Sequence, residues 1–206
     1  MALRLNDSTP ELLMVKLQDV DVPISALQTM NPGVDRFTAS FILVRDNPDN
    51  PSQPQVLLIQ RGHDGSWGGS WEKPGGGHEF DKDNSIMQTA LRETKEEVGL
   101  KISTEAIFPA AYRTAFLHKG LQMASYTFIA ELGREASITL SDEHLRWGFF
   151  DEESLRLFGP YEKEKAQQDG GVMLERKKEI LRHFFTNKEQ LKIGDVIMQV
   201  HTKETN

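Results

Sequence analysis

Residues 74–100 read PGGGHEFDKDNSIMQTALRETKEEVGL, and this segment determines how the rest of the chain is interpreted. Near its end, Glu93, Glu96 and Glu97 are spaced i, i+3 and i+4, which places three carboxylates on one face of a helix. Carboxylates at this spacing repel each other, and a hard cation such as Mg²⁺ would relieve the repulsion. The pattern therefore predicts a helix with a metal-binding face.

The same helix carries an apolar stripe that would pack against a core. The stripe repeats at i, i+4, i+7 and i+11 and consists of Met87, Leu91, Thr94 and Val98. Asp83 or Asn84 is suited to cap the start of the helix, and Gly99 to form the left-handed residue just after its end. One face is therefore predicted to be buried, with the carboxylates on the other.

A glycine run precedes the helix and strengthens the prediction of a ligand site. Gly75–Gly77 follows Pro74, and chain without side chains lets backbone amides and carbonyls approach a ligand closely. Without this run, a charged surface helix would explain Glu96 and Glu97 equally well. Glycines that lead into a carboxylate-faced helix indicate a site for a metal ion and a phosphate.

The segment resembles the Nudix box, the signature of the Nudix hydrolases. That pattern reads Gly, five residues, Glu, seven residues, Arg-Glu, an aliphatic residue, any residue, Glu-Glu, any residue, Gly and an aliphatic residue. The half from Arg92 to Leu100 matches with one departure, which is Thr94 in place of the aliphatic residue.

The first half of the box departs further from the pattern. Counted from Gly76, the first glutamate of the box falls on Lys82, and Arg92 comes two residues late. The loop is therefore predicted to contain a two-residue insertion, with either Asp81 or Asp83 replacing the glutamate. In the family this glutamate supports the arginine and the metal site.

Three further segments resemble Nudix proteins outside the box. They are the strand that leads into the box, at 70–76, an upstream strand ending in a basic residue, at 56–61, and a late strand with a short helix, at 143–155. With the box, they extend the resemblance over residues 37 to 185. The chain is identified as a member of the family, which implies an α/β fold, the Nudix-type α/β/α sandwich with a mixed central sheet.

Patterns along the chain predict the remaining elements. Strands are expected at 12–17, 37–44, 56–60, 106–117, 122–132 and 145–150, with a hairpin turn at 118–120. A short helix is expected at 152–157, and a long C-terminal helix with an apolar stripe from Met173 to Phe185. Residues 22–32 contain two prolines and are expected to be irregular, and residues 195–200 are expected to form a last strand.

Composition limits the organisation of the chain and its partners. The 206 residues carry a net charge of −7, contain no cysteine and include no apolar run long enough to cross a membrane. We expect an N-terminal extension packing on the domain at 1–35, a Nudix hydrolase domain at 36–190 and a C-terminal tail or strand at 191–206. The acidity argues against a nucleic acid polymer or an anionic membrane as partner. A cytoplasmic protein is expected, with a homodimer left open.

The resemblance assigns roles to residues of the box. Glu93, Glu96 and Glu97 would bind the metal together with the carbonyl of Gly75. Either Glu93 or Glu96 would act as base on the attacking water. Arg92 would hold the catalytic loop and the neighbouring glutamates rather than touch the substrate.

Candidates outside the box come from the late strand and from the aromatic residues. The family often draws a further base or ligand from the loop before the late strand, where Glu143 is the first candidate and His144 the second. Trp71 and Trp147 are expected to belong to the core.

Five residues are candidates for contacts with the substrate. Arg61 and Arg113 carry guanidinium groups suited to terminal phosphates. Trp67 lies in a glycine-rich loop, where it would stack on a base or cover an apolar tail. His78 and Glu79 follow the glycine run and are candidates for contacts with phosphate, substrate or metal.

These inferences predict a Mg²⁺- or Mn²⁺-dependent pyrophosphohydrolase. Its small-molecule substrate would be a nucleoside diphosphate linked to another moiety, or a related organic diphosphate. Lys82 at the expected glutamate position leaves open a Nudix-fold protein recruited to a metal-independent reaction on a non-phosphate metabolite. A non-catalytic module that senses a nucleotide is the other alternative, because a fold alone does not settle activity.

Overall fold

A mixed β-sheet runs through the middle of the computed structural model, which describes residues 12–64, 66–133, 135–162, 165–166 and 171–193. The strands are β1 Leu12–Lys16, β2 Arg36–Arg45, β3 Gln55–Arg61, β4 Trp71–Glu72, β5 Gly75–Gly77, β6 Ile107–His118, β7 Leu121–Glu131, β8 His144–Phe150, β9 Gly159–Pro160 and β10 Val172–Met173. Their order is β1-β6-β7-β2-β3-β4-β10-β9, with β5 paired to β2 and β8 to β3.

Helices cover both faces of this sheet. They are α1 Leu17–Val20, α2 Ile24–Met30, α3 Ile86–Val98, α4 Glu152–Arg156 and α5 Glu175–Ile193, with a 3₁₀ turn at Thr104–Ala106. Side chains alternate along β2, so that Phe41 packs with α2 and α3 while Ile42 packs with α4 and α5. The two apolar clusters lie on opposite faces of one sheet, which confirms the predicted α/β/α sandwich.

The sheet divides between β2 and β3, and this division creates the site. The two strands pair at Val44–Val56 and Arg45–Gln55, after which β2 pairs with β5 and β3 with β4. The chain from β4 to β5 therefore crosses from one half of the sheet to the other. Gly75 has φ of 150°, and a Cβ there would collide with the backbone of β2, so the crossing requires glycine.

The box helix α3 begins and ends at residues with distinct capping roles. Ser85 is the N-cap, because its hydroxyl accepts a hydrogen bond from the amide of Gln88 at 3.3 Å. The prediction that Asp83 or Asn84 caps this helix is therefore wrong. Gly99 ends the helix at φ of 73°, as predicted.

Three other predictions from the sequence need correction. Residues 24–30 form α2 instead of irregular chain, since Pro23 precedes the helix and Pro32 follows it, the two places where proline is compatible with helix. Met173 belongs to β10 and not to the stripe of α5. Trp147 is 42% exposed on β8, whereas Trp71 is buried as expected.

The remaining strands follow the predicted pattern closely. β6 and β7 are joined by Lys119 and Gly120, both at positive φ, which is the two-residue turn of a hairpin. β1 pairs with β6, so the segment before residue 36 extends the sheet. The predicted strand at 195–200 lies outside the described residues. No helix in the described part of the chain is long and apolar enough to cross a membrane.

Candidate active site

Glu97, in the last turn of α3, reaches the division in the sheet. It is 7% exposed, and its Oε2 accepts a hydrogen bond from the amide of Gly75 at 2.7 Å. Burial, together with the nearby carboxylates of Glu72 and Glu93, raises the pKa of Glu97 to about 8. A carboxylate in these surroundings would be stabilised by a bound cation.

Glu93, one turn earlier, lies directly against the glycine strand β5. A Cβ built on Gly76 would be 2.5 Å from the Glu93 carboxyl group, whereas a Cβ on Gly77 would meet nothing within 4 Å. Burial raises the pKa of Glu93. Gly76 therefore leaves the space in which this carboxylate sits.

Arg92 connects the box loop to α3 through Asp83. Its Nε and Nη2 donate to the two Asp83 oxygens, both at 2.9 Å, and Nη2 also donates to the carbonyl of Gly77. Asp83 is buried and accepts further hydrogen bonds from the amide of Glu79 and the hydroxyl of Thr89. A bidentate pair of this kind fixes both partners.

Asp83 thus makes the contact that the family's first glutamate is expected to make. It lies seven residues after Gly76 and nine before Arg92, where the family pattern has six and eight. The two extra residues of the loop therefore fall one on each side of Asp83. Asp81, the other candidate for this position, is exposed.

The third carboxylate of the helix face points toward solvent. Glu96 is 52% exposed in its side chain, and its Oε2 lies 2.9 Å from Nη1 of Arg92. The same Nη1 lies 3.0 Å from Glu93 and 3.4 Å from Glu79. Arg92 therefore supplies much of the positive charge on this face.

The carboxylate oxygens of this site are suitable ligands for a divalent cation, but they do not surround one point in this structure. Oxygen ligands are what Mg²⁺ and Mn²⁺ take from proteins, and burial with two neighbouring carboxylates raises the pKa of Glu97, which a bound cation would oppose. Among the described residues, however, no three His, Cys, Asp or Glu side chains converge on a point that would hold a metal. Glu93 and Glu96 would have to turn from Arg92 to bind one ion together with Glu97.

A second charged network surrounds Glu72, at the end of β4. Arg61 donates to its Oε1 at 2.7 Å, and Lys177 of α5 pairs with its Oε2. His144 Nε2 lies 3.9 Å from Glu72 and 3.4 Å from Glu97, so the imidazole stands between the two carboxylates. Ser141 holds the other ring nitrogen at 3.0 Å, and Nε2 makes no hydrogen bond within the described residues.

A cavity of about 190 Å³ opens next to the glycine strand, on the α5 side of the sheet. Polar and aromatic side chains from β6 and β7 line it, including Thr114, Phe116, His118 and Ser125. Its charged lining consists of Arg61, Glu72, Lys73, Arg176 and Lys177. Among the described residues, four basic residues and one carboxylate thus line the cavity, in a protein whose net charge is −7.

Among the described residues, no carboxylate pairs directly with Lys73 or Arg176, two basic residues of this cavity. Lys73 is 5% exposed, and burial, with Lys177 and Arg176 nearby, lowers its pKa to about 7. Within the described part of the chain, its ammonium group has no hydrogen bond or ion pair. Arg176 lies over the rings of Trp67 and Phe116, at 4.8 and 4.1 Å.

The sequence-predicted substrate residues divide into two groups. Arg61 and Trp67 line the cavity. The indole of Trp67 already contacts His118, with ring centroids 4.5 Å apart, and Arg176. Glu143 lies at the edge of the site, where its carbonyl accepts a hydrogen bond from the amide of Gly62 at 2.8 Å.

The other three residues do not line this cavity. Arg113 donates to Asn31 at 2.7 Å and to Tyr126 at 3.3 Å. His78 is buried, with Nδ1 3.0 Å from the Thr89 hydroxyl. Glu79 is half exposed and pairs with Lys82 and Arg92.

Sequence reasoning did not single out Glu72, Lys73 or Lys177. Glu72 and Lys73 belong to the predicted strand at 70–76, but their burial depends on the crossing between the two halves of the sheet. Lys177 was counted in the stripe of α5, although it bonds Glu72. A charged residue inside an apolar stripe was the available signal.

Comparison with known proteins identifies the family and the fold. The model of the NUDIX domain matches residues 36–176. No curated protein matches the chain. Among solved structures, a MutT/nudix family protein from Enterococcus faecalis is 20% identical with a TM-score of 0.53, over 85% of this chain and 70% of that one.

Two further structures show the same fold. A NUDIX hydrolase from Alicyclobacillus acidocaldarius is 16% identical with a TM-score of 0.52, over 74% of this chain and 92% of that one. A NUDIX hydrolase from Nitrosomonas europaea is 16% identical with a TM-score of 0.51, over 76% and 73%. At these identities the structures establish similarity of fold.

A carboxylate-faced helix against a glycine strand, in a sheet between helices, is an arrangement that suits a cation beside a phosphate group. The family model covers well over half of the chain, and the chain belongs to the Nudix family. Both the family and a hydrolase acting on pyrophosphate bonds, as predicted from the sequence, are thereby confirmed.

Proposed function

We propose that this Nudix hydrolase is a Mg²⁺- or Mn²⁺-dependent pyrophosphohydrolase. Its substrate is a nucleoside diphosphate linked to another moiety, or a related organic diphosphate. The observation that carries the proposal is the position of Glu93 and Glu97, which are held against the glycine strand beside a basic cavity. Negative groups for a cation and positive groups for phosphate thus lie on the two sides of β5.

The residues of the box divide the work between holding the metal and positioning its ligands. Glu93, Glu96 and Glu97, with the carbonyl of Gly75, would hold the metal, which would supply positive charge against the phosphoryl group and lower the pKa of water. Either Glu93 or Glu96 removes a proton from the attacking water. Arg92 keeps both of these glutamates close to the box loop, since its Nη1 lies about equally close to each, and both would turn from it to bind the ion.

Substrate contacts come from the cavity and its edge. Arg61 binds phosphate through its guanidinium group, and Trp67 forms one wall beside the bound moiety. Glu143 is the candidate for an additional base or ligand. His78, Glu79 and Arg113 hold neighbouring residues in place and do not contact the substrate. Their side chains bond other residues of the chain.

Phosphate release over a panel of organic diphosphates tests the proposal. With Mg²⁺ or Mn²⁺ the wild type should turn over at least one class, and EDTA should abolish turnover. Glu96→Gln and Glu97→Gln should each lose roughly a hundredfold while circular dichroism stays unchanged. Glu135→Gln, at an exposed position away from the box, serves as matched control. Full turnover of the true substrate in EDTA, or in both box variants, would refute metal-dependent hydrolysis.

One observation favours a metal-independent reaction as the second candidate. Glu96 is tied to Arg92, and the described carboxylates are not assembled around one point. Against it stands the basic lining of the cavity, which suits an anionic substrate better than a neutral metabolite. Ligand binding that ignores EDTA and survives Glu96→Gln would select this alternative.

A further inference from the structure

The cavity beside the glycine strand contains more positive charge than a simple diphosphate at the metal face would need. Of its four basic side chains, Arg61 and Lys177 are already paired with Glu72. Lys73 and Arg176 are left without a carboxylate partner in direct contact among the described residues. Two cationic residues therefore line the same space without direct contact to a described carboxylate, although Glu72 attracts both from a distance.

Keeping Lys73 in this position is costly for the folded protein. Lys73 is 5% exposed and makes no hydrogen bond or ion pair with a described residue, so its surroundings oppose the charged form of its ammonium group. Lys177 and Arg176 lie close enough to repel it. A residue that destabilises the apo protein in this way is typical of a binding site whose ligand supplies the missing charge.

Arg176 is held in place by stacking instead of by an ion pair. Its guanidinium lies over Phe116 and Trp67, which leaves the donor edges of the planar group available for a ligand. The first turn of α5 also provides Lys177, so the helix brings two basic residues to the cavity. A group with several anionic oxygens fits this arrangement better than a neutral sugar or base.

We infer that the substrate carries at least one phosphate beyond the diphosphate that is cleaved, and that Lys73 and Arg176 bind it. This inference rests on the proposed function and specifies the class of its substrate. The additional phosphate belongs either to a longer phosphate chain or to a phosphomonoester on the attached moiety. Both present the same oxygens to the cavity.

Metal-free binding of inorganic tripolyphosphate tests the cavity separately from catalysis. In protein stripped of metal, millimolar tripolyphosphate should raise the thermal midpoint of the wild type and of Lys101→Gln, a control at an exposed lysine. Lys73→Met and Arg176→Gln should each weaken tripolyphosphate affinity about tenfold or more. Equal affinity in these two variants and the wild type would overturn the inference.

The apo stability of Lys73→Met distinguishes binding from a structural role. Because the substitution removes an unpaired buried charge and keeps an unbranched side chain, its thermal midpoint without ligand should equal or exceed that of the wild type. A lower midpoint together with weaker binding would show that Lys73 supports the fold, and would overturn its assignment. The tripolyphosphate affinity of Arg176→Gln then tests independently whether the cavity binds phosphate.

Turnover of paired substrates identifies the source of the additional phosphate. NADPH and NADH differ by one phosphomonoester, and diadenosine tetraphosphate and diphosphate differ in chain length. With Mg²⁺, Lys73→Met should raise KM about tenfold for the phosphate-rich member of the relevant pair and little for the other. Equal losses within both pairs would overturn the inference while leaving the hydrolase intact. Absence of turnover across these pairs and the whole panel of organic diphosphates would refute the proposed function, and tripolyphosphate binding would still decide the cavity.

Discussion

The guanidinium of Arg92 contacts Asp83, Glu93, Glu96 and the carbonyl of Gly77 at once. Asp83→Asn keeps the shape of the acid but removes its charge, so Arg92 loses its buried partner. We expect the free energy of unfolding to fall by about 2 kcal/mol and the thermal midpoint by roughly 4–8 °C. Asp81→Asn, two residues away and exposed, should change neither in a thermal melt. Equal effects of the two substitutions would contradict the role assigned to Asp83.

The pH dependence of this pair has a defined sign. Burial acts to raise the pKa of Asp83, but hydrogen bonds from Arg92, the Glu79 amide and Thr89 outweigh it and hold this pKa below its usual 3.8. A carboxylate of this kind adds stability above its unfolded pKa and loses it as the pH falls through its folded pKa. In urea unfolding, the difference between wild type and Asp83→Asn should therefore shrink once the pH drops below 3.8. A difference that persists unchanged far below that pH would exclude Asp83 as its source.

Two adjacent glycines of β5 should respond very differently to a methyl group. A Cβ on Gly76 would meet the end of the Glu93 side chain at 2.5 Å, and that flexible carboxylate can swing away. Gly76→Ala should thus keep the fold but weaken Mn²⁺ affinity and turnover by tenfold or so, measured by titration and by phosphate release. Gly77→Ala, where a Cβ meets nothing within 4 Å, is the matched control. Turnover unchanged in Gly76→Ala would show that Glu93 does not need its present position.

The start of α3 offers a comparable test for a whole element. Ser85 caps the helix through its hydroxyl, while Asn84 contributes its backbone to contacts with Gln88 and Ile24. Ser85→Ala should cost about 1 kcal/mol of stability, whereas Asn84→Ala should be nearly silent in the same chemical denaturation. A larger loss of stability in Asn84→Ala than in Ser85→Ala would show that Asn84 is the N-cap, as the sequence suggested.

Prediction of elements from the sequence succeeded where a local pattern decides the structure. The strand β3 and the hairpin at Lys119–Gly120 follow from apolar runs and turn residues, and Gly99 ends α3 as its type suggests. The helix α2 was missed because prolines at 23 and 32 were interpreted as loop signals, although both lie outside the helix they bracket. Boundaries of this kind depend on which side of a proline the helix forms.

Only the half of the site that comes from one continuous segment of the chain could be predicted from the sequence. The carboxylates of α3 and the glycine strand follow from spacing, since all lie within one segment of the chain. The other half assembles from β4, β8 and α5, where Glu72, His144 and Lys177 meet across more than a hundred residues. Trp147 was expected in the core but lies in a run of three exposed residues on β8, from Leu145 to Trp147. Contacts between distant segments depend on the crossing of the sheet, which no local pattern encodes.

A bound metal ion should raise the thermal midpoint of unfolding, because the ion binds the folded state. Mn²⁺ at about 100 times its dissociation constant stabilises a protein by roughly 2.7 kcal/mol, which corresponds to an increase of about 5–10 °C in the thermal midpoint. Glu97→Gln removes an acid whose ionisation is opposed by burial, Glu72 and Glu93, while its amide oxygen can still accept the Gly75 hydrogen bond. The variant should therefore melt at or above the wild type without metal, and lose most of the Mn²⁺ effect.

The two arms of this last experiment separate the possible roles of Glu97. A variant that melts lower without metal would show that the carboxylate supports the fold through Gly75. A variant that keeps the full Mn²⁺ increase would show that the ion binds elsewhere on an acidic surface of net charge −7. Glu135→Gln, which lies away from the box, controls for loss of general surface charge. Only the combination of equal or higher apo stability and a lost metal response fits a carboxylate placed for a cation, since buried like charges otherwise oppose folding.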